Sequence, residues 1–337
     1  MNMEDARSKG PELTVVAPVY NEAGNVALLA ARLKPVLDSC VTSYEIIFVD
    51  DGSSDGTLAA VKAENARDAR VRAVSFSRNF GKEIAIAAGL DHAAGEAVVI
   101  MDADLQHPPE TIPAFVAKWR EGYQNVYGQR TRREHDSALR RMLSRRFYDI
   151  FGAFGETQLP EGAGDFRLLD RRAVEALLTM RERARFSKGL YAWVGFKSIG
   201  VPFDVAERAH GESKYSYRKL TRFALDGLMS FSTLPLKVWT YVGTFISGFA
   251  FATALYFLVR TLVFGVDVPG FASLIVSVMF LAGVQLLSLG VLGEYVGRIF
   301  AEVKRRPLYL VAERVGAIDS AAPDADHPAP ARRRHGG

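Results

Sequence analysis

The first hundred residues alternate between two hydrophobic periods. "LTVVAPVY" (Leu13 to Tyr20), "YEIIFVD" (Tyr44 to Asp50), "VRAVSFS" (Val71 to Ser77) and "EAVVIMDAD" (Glu96 to Asp104) are short apolar runs. Such runs fit strands buried on both faces. Between them, "NEAGNVALLAARLKPVLDS", the stretch after the turn "DGSSDGT", and "KEIAIAAGLDHAA" carry apolar residues at helical spacing. This rhythm predicts an α/β domain with a parallel, doubly wound sheet, whose ligand crevice opens beyond the strand C-termini. A fifth strand is expected just before Arg130, and a helix is expected to start at Pro109.

The pattern changes further along. Val238 to Val259 and Phe271 to Gly293 are runs of 22 and 23 residues without a charge. About 20 such residues span a hydrocarbon core, so the pair predicts a transmembrane hairpin. Reading them as core helices of a soluble domain would require protein on every side. Lys214, Arg218, Lys219, Arg222 and Lys237 precede the first run, and Arg298, Lys304, Arg305 and Arg306 follow the second, while the connection holds only Arg260. The positive-inside rule then places both long ends in the cytoplasm. Two amphipathic stretches, Ala138 to Gly155 and Lys214 to Ser232, read either as packing helices with solvated basic faces or as helices lying at the headgroup layer. For the second, continuity with a span favours the headgroup layer.

Composition narrows the classes. The chain has 337 residues, is 49% hydrophobic and carries a net charge of +4, which excludes a disordered protein and gives no argument for nucleic acid. The N-terminus has no apolar run of a signal peptide. A lone Cys40 offers neither a disulfide nor a zinc cluster, and reads as a small buried hydrophobe. The expected organisation is a flexible N-terminus at 1–12, a catalytic domain at 13–213, an interfacial helix at 214–235, the hairpin at 236–297, a cytoplasmic segment at 298–315, and a disordered tail at 316–337.

The candidate chemistry sits where the strands end: "PVYNE", "DDGSSDGT", "SRNFGKE" and "DADLQ". Asp102 and Asp104 at the end of the fourth strand offer hard oxygen ligands for Mg²⁺ or Mn²⁺, with phosphates completing the shell. Gln106 can add a carbonyl oxygen, and His107 reads as a turn residue. A phosphate-binding lysine loop and a dinucleotide G-x-G-x-x-G are both missing from the sequence, which removes the main support for an ATPase or a dehydrogenase.

The ordered set "PVYNE", "VDDGSSDGT", "SRNFGKE", "DADLQHPPE", "GDFRLLDR", "SFSTLPLKVWTYVG" and "LGVLGEYVGRIF" resembles family 2 glycosyltransferases that charge polyprenyl phosphate, above all the bactoprenol glucosyltransferases. Dolichyl-phosphate mannose synthases are relatives. The resemblance covers about Leu13 to Val311. It implies a GT-A (Rossmann-like) domain, a UDP-sugar donor with glucose as the sugar, a divalent metal, and undecaprenyl phosphate as acceptor at the inner membrane.

Carried across by motif, Pro18, Tyr20, Glu22 and Asp50 hold the nucleotide, and Ser77, Arg78 and Lys82 lie near the sugar or diphosphate. Asp102, Asp104 and Gln106 form the metal and diphosphate site. Asp165 approaches the acceptor, either as base or as positioning group, with Arg167 as its charge partner. Arg130, Arg208, Ser213 and Lys214 meet the acceptor phosphate. Since a phosphate monoester has its second pKa near about 6, proton abstraction is the weaker role for Asp165. Other expected partners are membrane lipids and a second copy of the chain. The rival readings are transfer from another donor, such as GDP-mannose or a UDP-aminoarabinose type, a processive polysaccharide synthase, and a non-catalytic sugar-nucleotide-binding partner of a flippase.

Overall fold

The computed structural model describes residues 10–130, 163–183, 185–204, 234–264 and 270–317. The chain divides into two units, one built from the N-terminal two thirds plus the C-terminal segment, the other from residues 225–305.

The first unit is built on one eight-stranded sheet. Its strands are β1 (Leu13–Val19), β2 (Tyr44–Asp50), β3 (Val71–Phe76), β4 (Ala97–Ile100), β5 (Asn125–Arg130), β6 (Ala163–Asp170), β7 (Ser198–Phe203) and β8 (Val311–Val315). The order across the sheet is β7-β5-β6-β4-β1-β2-β3-β8. The four strands expected from the apolar runs pair in parallel, β1 with β2 from Leu13 opposite Tyr44 to Val19 opposite Asp50. After β3 the chain crosses back to the other side of β1, so the strand order reverses between β1 and β4, where open α/β sheets bind ligands.

The helices are α1 (Ala23–Cys40), α2 (Thr57–Arg67), α3 (Lys82–His92), α4 (Ile112–Arg120), α5 (Arg171–Leu178) and α6 (Ser187–Trp193). Leu13, Val15, Ala17 and Val19 of β1 bury one face against Val26, Leu29, Leu33 and Leu37 of α1, and Ile112 and Phe115 of α4 join that core. Alternate residues point the other way. Val16 meets α3, where a Cβ on Gly89 would fall 2.1 Å from Val16 Cγ1, so only glycine lets that helix approach the sheet so closely.

The sheet is mixed, not parallel throughout. β6 runs antiparallel to β4 and β5, and β8 runs antiparallel to β3. Antiparallel pairing leaves no local signature in an eight-residue run such as "AGDFRLLD"; direction depends on where the preceding chain delivers the strand. β8 lies in the stretch expected to be only a cytoplasmic segment. It covers the free edge of β3, and Ser77 N–H donates to Leu310 O at 3.0 Å. Tyr309 stacks on Phe76 with centroids 4.9 Å apart, and its hydroxyl donates to Asp91 Oδ2 at 2.9 Å.

Two boundaries move. β4 stops at Ile100 rather than Asp104, so the acidic pair lies on a turn. Pro109 opens a short 3₁₀ turn that leads into α4 at Ile112. Glu12, expected in the flexible N-terminus, is held by Thr42 N–H at 2.8 Å and by Arg120 at 2.6 Å.

The second unit contains α7 (Leu234–Phe264, 31 residues) and α8 (Phe271–Val303, 33 residues). Among the described residues one stretch, Phe280–Val303, is long and apolar enough to cross a membrane, with mean hydropathy 1.4 and none of it buried. Tyr241–Thr253 is a shorter apolar stretch. The two amphipathic stretches at 138–155 and 214–232 and the tail from 318 lie outside the described residues.

Candidate active site

Three loops beyond the C-terminal ends of β1, β2 and β3 are stitched together. Asn21, at φ 54 just past β1, donates its N–H to Ser53 Oγ at 2.9 Å and accepts from Ser54 N–H at 2.9 Å. Glu22 N–H donates to Thr57 Oγ1 at 2.9 Å, and the Glu22 carboxylate accepts from Asn25 Nδ2 at 2.5 Å. Pro18 lies in β1 opposite Val49, and Tyr20 stands 40% exposed at its end.

Asp50 is 1% exposed; Oδ1 accepts from Ser53 N–H at 3.0 Å and Oδ2 from Ser75 hydroxyl at 2.7 Å. The next residue, Asp51, reaches across to the third loop, accepting from Phe80 N–H at 2.6 Å and Gly81 N–H at 3.0 Å. Burial pushes the Asp51 carboxyl up, and those two N–H groups oppose it. Gly52 completes the joint. Its φ is 68°, and a Cβ there would lie 2.4 Å from the Arg78 carbonyl carbon.

The Asp51 clamp delivers Lys82, the first residue of α3, to the centre of the rim. Its Nζ lies 2.5 Å from Asp102 Oδ1 and 3.1 Å from Asp165 Oδ2. Burial alone would pull this ammonium down, but the charges of Asp102 and Asp165 overrule it and hold it well above the ordinary lysine range. Burial alone would raise Asp102 and Asp165; the Lys82 charge holds both below the usual carboxylate range. Asp165 Oδ1 is buried with no hydrogen-bond partner. Glu83, the residue after Lys82, accepts from Ser187 N–H at 3.2 Å; burial, then the Asp165 charge, pushes it up.

The acidic turn is fixed from below. Asp102 N–H donates to His107 Nδ1 at 3.0 Å, and the buried His107 ring stacks on Phe166 with centroids 4.8 Å apart. Gln106 N–H donates to Asp104 Oδ1 at 3.1 Å across Leu105, which sits at φ 63. His107 is thus a turn residue, as expected, and it sets the backbone that carries Asp102.

The structure therefore joins Lys82, Asp102 and Asp165 and places Asp104 and Gln106 on the same turn. Ser77 and Arg78 stay at the exposed end of β3, where the Arg78 guanidinium lies 3.9 Å over the Phe80 ring. Arg167 is a charge partner of Asp165, as expected, its positive charge helping to hold that carboxyl down, but the direct ion pair is made by Lys82. Arg167 donates to Asn125 Oδ1 at 3.3 Å and Gly164 O at 2.5 Å, and lies 3.7 Å over Tyr191. The two residues share a face of β6; the buried guanidinium makes its direct contacts to neutral acceptors and a ring, and feels the charges of Asp165 and Glu83 beyond them. Arg130 ends β5; its side chain, and Arg208, Ser213 and Lys214, lie outside the described residues.

Among the described residues no three His, Cys, Asp or Glu side chains gather to cage an ion. Two carboxylates on one turn, with other ligands left to a substrate, suit Mg²⁺ or Mn²⁺, which keep water and phosphate oxygens in their shell. The donor set fits such an ion.

The glycosyl transferase family 2 model matches residues 14–178. An uncharacterized glycosyltransferase of Synechocystis sp. (strain ATCC 27184 / PCC 6803 / Kazusa) is 50% identical over 305 residues, covering 90% of this chain and 96% of that protein. The chain belongs to glycosyl transferase family 2. An SfII prophage-derived bactoprenol glucosyl transferase of Shigella flexneri is 42% identical over 300 residues, covering 89% of this chain and 97% of that protein. A mannosyltransferase from Pyrobaculum calidifontis, solved with GDP-Man and Mn²⁺, aligns with a TM-score of 0.47 at 20% identity, covering 84% of each chain.

In this family 2 glycosyltransferase the mixed sheet is that of a GT-A domain, and the rim residues form its candidate catalytic site. Sequence reasoning passed over Asp51, Glu83 and the clamp role of His107. The available signal was an acidic or imidazole side chain directly beside a quoted motif, at a position the apolar pattern would bury.

Proposed function

We propose that this enzyme transfers glucose from UDP-glucose to undecaprenyl phosphate at the cytoplasmic face of a bacterial inner membrane, releasing UDP. The observation that carries the reading is the Lys82, Asp102 and Asp165 cluster beside the acidic turn, at the point where the strand order reverses. Relatives named bactoprenol glucosyl transferase, matching over 89% of the chain, support the acceptor and the sugar.

A phosphate oxygen of the acceptor attacks the anomeric carbon as its bond to the UDP oxygen breaks. The electron pair leaves with UDP, and attack from the opposite side inverts the configuration to β. The Asp102 and Asp104 carboxylates, with Gln106, would hold Mg²⁺ or Mn²⁺, which would neutralise charge on the departing diphosphate as a Lewis acid. The acceptor phosphate is already ionised near neutral pH, its second pKa being about 6. Asp165 is held ionised and is a poor base; it positions the sugar and acceptor instead. The nucleotide rests on the stitched loops around Tyr20, Glu22 and Asp50, with Arg78 at the rim. Arg130, Arg208, Ser213 and Lys214 receive the acceptor phosphate. The segment 236–297 anchors the enzyme as a two-span hairpin with both termini cytoplasmic, so the bilayer itself solvates the prenyl tail.

The test uses detergent-purified full-length protein with undecaprenyl phosphate, Mg²⁺ or Mn²⁺, and UDP-glucose, UDP-galactose, UDP-GlcNAc or GDP-mannose in separate reactions. Lipid-linked glucose from UDP-glucose alone, lost in Asp104→Asn, is expected. Product from a different donor alone would overturn the sugar assignment. No product from any of these donors, with nucleotide binding intact, would overturn the reading in favour of a rarer donor or a non-catalytic partner.

A further inference from the structure

Lys82 bonds two carboxylates that serve different substrates in the reading above. Asp102 belongs to the acidic turn, and Asp165 to the strand that faces the acceptor. The ammonium lies 2.5 Å from one and 3.1 Å from the other. The backbone at this point is fixed, because Asp51 holds the N–H groups of Phe80 and Gly81 and α3 begins at Lys82 itself. The side chain is not fixed in the same way: its four-carbon stem lets the charge swing between partners, and the Lys82 side chain is 38% exposed. Asp165 has a second oxygen, Oδ1, buried and unpartnered.

A divalent ion on the acidic turn needs the same Asp102 carboxylate that Lys82 engages. Two cations sharing one carboxylate repel strongly in a half-buried setting, where the effective dielectric constant is well below that of water. The ammonium can give up Asp102 and keep Asp165, but it then faces a new positive charge. A diphosphate arriving with the ion supplies anionic oxygens for the displaced ammonium.

We propose that Lys82 competes with the divalent cation for Asp102, and that the donor's diphosphate relieves the competition by accepting the ammonium. Metal and nucleotide therefore bind as a pair, and each weakly alone. Lys82 is a positioning residue in this scheme, and Asp165 is its retained anchor. The inference rests on the metal site proposed above. Because coupling between two ligands is reciprocal, the factor by which UDP tightens Mn²⁺ equals the factor by which Mn²⁺ tightens UDP.

The experiment is equilibrium dialysis of full-length protein in detergent against Mn²⁺, with and without UDP. The protein compartment reports bound ion, since the Mn²⁺–UDP complex formed in solution equilibrates across the membrane. In the unsubstituted protein UDP is expected to tighten Mn²⁺ by about tenfold or more, a usual size for such coupling. Lys82→Met is expected to bind Mn²⁺ alone about tenfold more tightly, with a UDP effect smaller by a similar factor, the remainder coming from direct coordination of the ion by the diphosphate, and Lys82→Arg is expected to keep the original behaviour. Lys82→Gln replaces Lys82→Met if the latter does not fold. Mn²⁺ affinity without UDP in the neutral variant at or below that of the original overturns the competition. Mn²⁺ binding unchanged in both Asp102→Asn and Asp104→Asn overturns the metal site and the competition with it.

Discussion

Replacing His107 with phenylalanine separates what its ring does from what its nitrogen does. Phenylalanine keeps an aromatic face against Phe166, whose ring is stacked 4.8 Å away, but it cannot accept the 3.0 Å hydrogen bond from Asp102 N–H. Leaving a buried donor unpaired costs about 1–3 kcal/mol, and Asp102 is only partly buried, so about 1–2 kcal/mol is expected. For a domain of this size that lowers the melting temperature by about 2–8 °C. His107→Ala also loses the stacked pair, about 0.5–1.5 kcal/mol, and opens a cavity, so its cost is about 3–4 kcal/mol.

The functional effect of His107→Phe should exceed what the stability loss suggests. The lost bond fixes the backbone of a proposed metal ligand, and removing such supporting partners lowers metal affinity or activity by about 10–100-fold. The assay pairs thermal melting in detergent with Mn²⁺ dialysis in the presence of UDP. Unchanged Mn²⁺ affinity and turnover in His107→Phe, at whatever stability, would refute the argument that this imidazole sets the acidic turn.

Gly52→Ala should destabilise by about 2–5 kcal/mol, combining about 1–2 for left-handed backbone with about 1–3 for overlap with the Arg78 backbone. Gly81→Ala, whose Cβ would meet nothing within 4 Å, incurs backbone strain alone, about 1–3 kcal/mol at its φ of 101 and ψ of 151, and a melting shift larger than that of Gly52→Ala would contradict this account. The third concerns acid. The Arg70 guanidinium holds Asp68 at about 2, below its ordinary 3.8, so its stabilising contribution is present above pH 4 and fades as pH falls toward 2. The shift corresponds to at most about 2.4 kcal/mol, reduced to about 1 by solvent screening of a surface pair. Asp68→Asn should flatten that acid limb in melting curves taken between pH 7 and 3; an unchanged limb would remove Asp68 from the account.

The first four strands were legible because a buried parallel strand is a local pattern: "YEIIFVD" announces β2 without help from the rest of the chain. The same holds for the acidic pair and for "SRNFGKE", since charged residues at the end of an apolar run stand out. The direction of β6 and the return of Val311–Val315 to the edge of β3 were not legible. Both depend on where distant segments deliver the chain, and a five-residue strand carries no record of its partner. The direct ion pair of Asp165 with Lys82 was missed for a related reason. Arg167 is two residues away and shares its face, while Lys82 is 83 positions earlier and reaches Asp165 only because β3 and α3 bring it to the same rim. Periodicity thus determined where the strands run and on which side of the sheet the polar motifs gather, and the motifs themselves carried the resemblance to the family. Tertiary structure alone decided which charges touch, because an ion pair across a sheet rim is set by strand order and not by proximity in sequence.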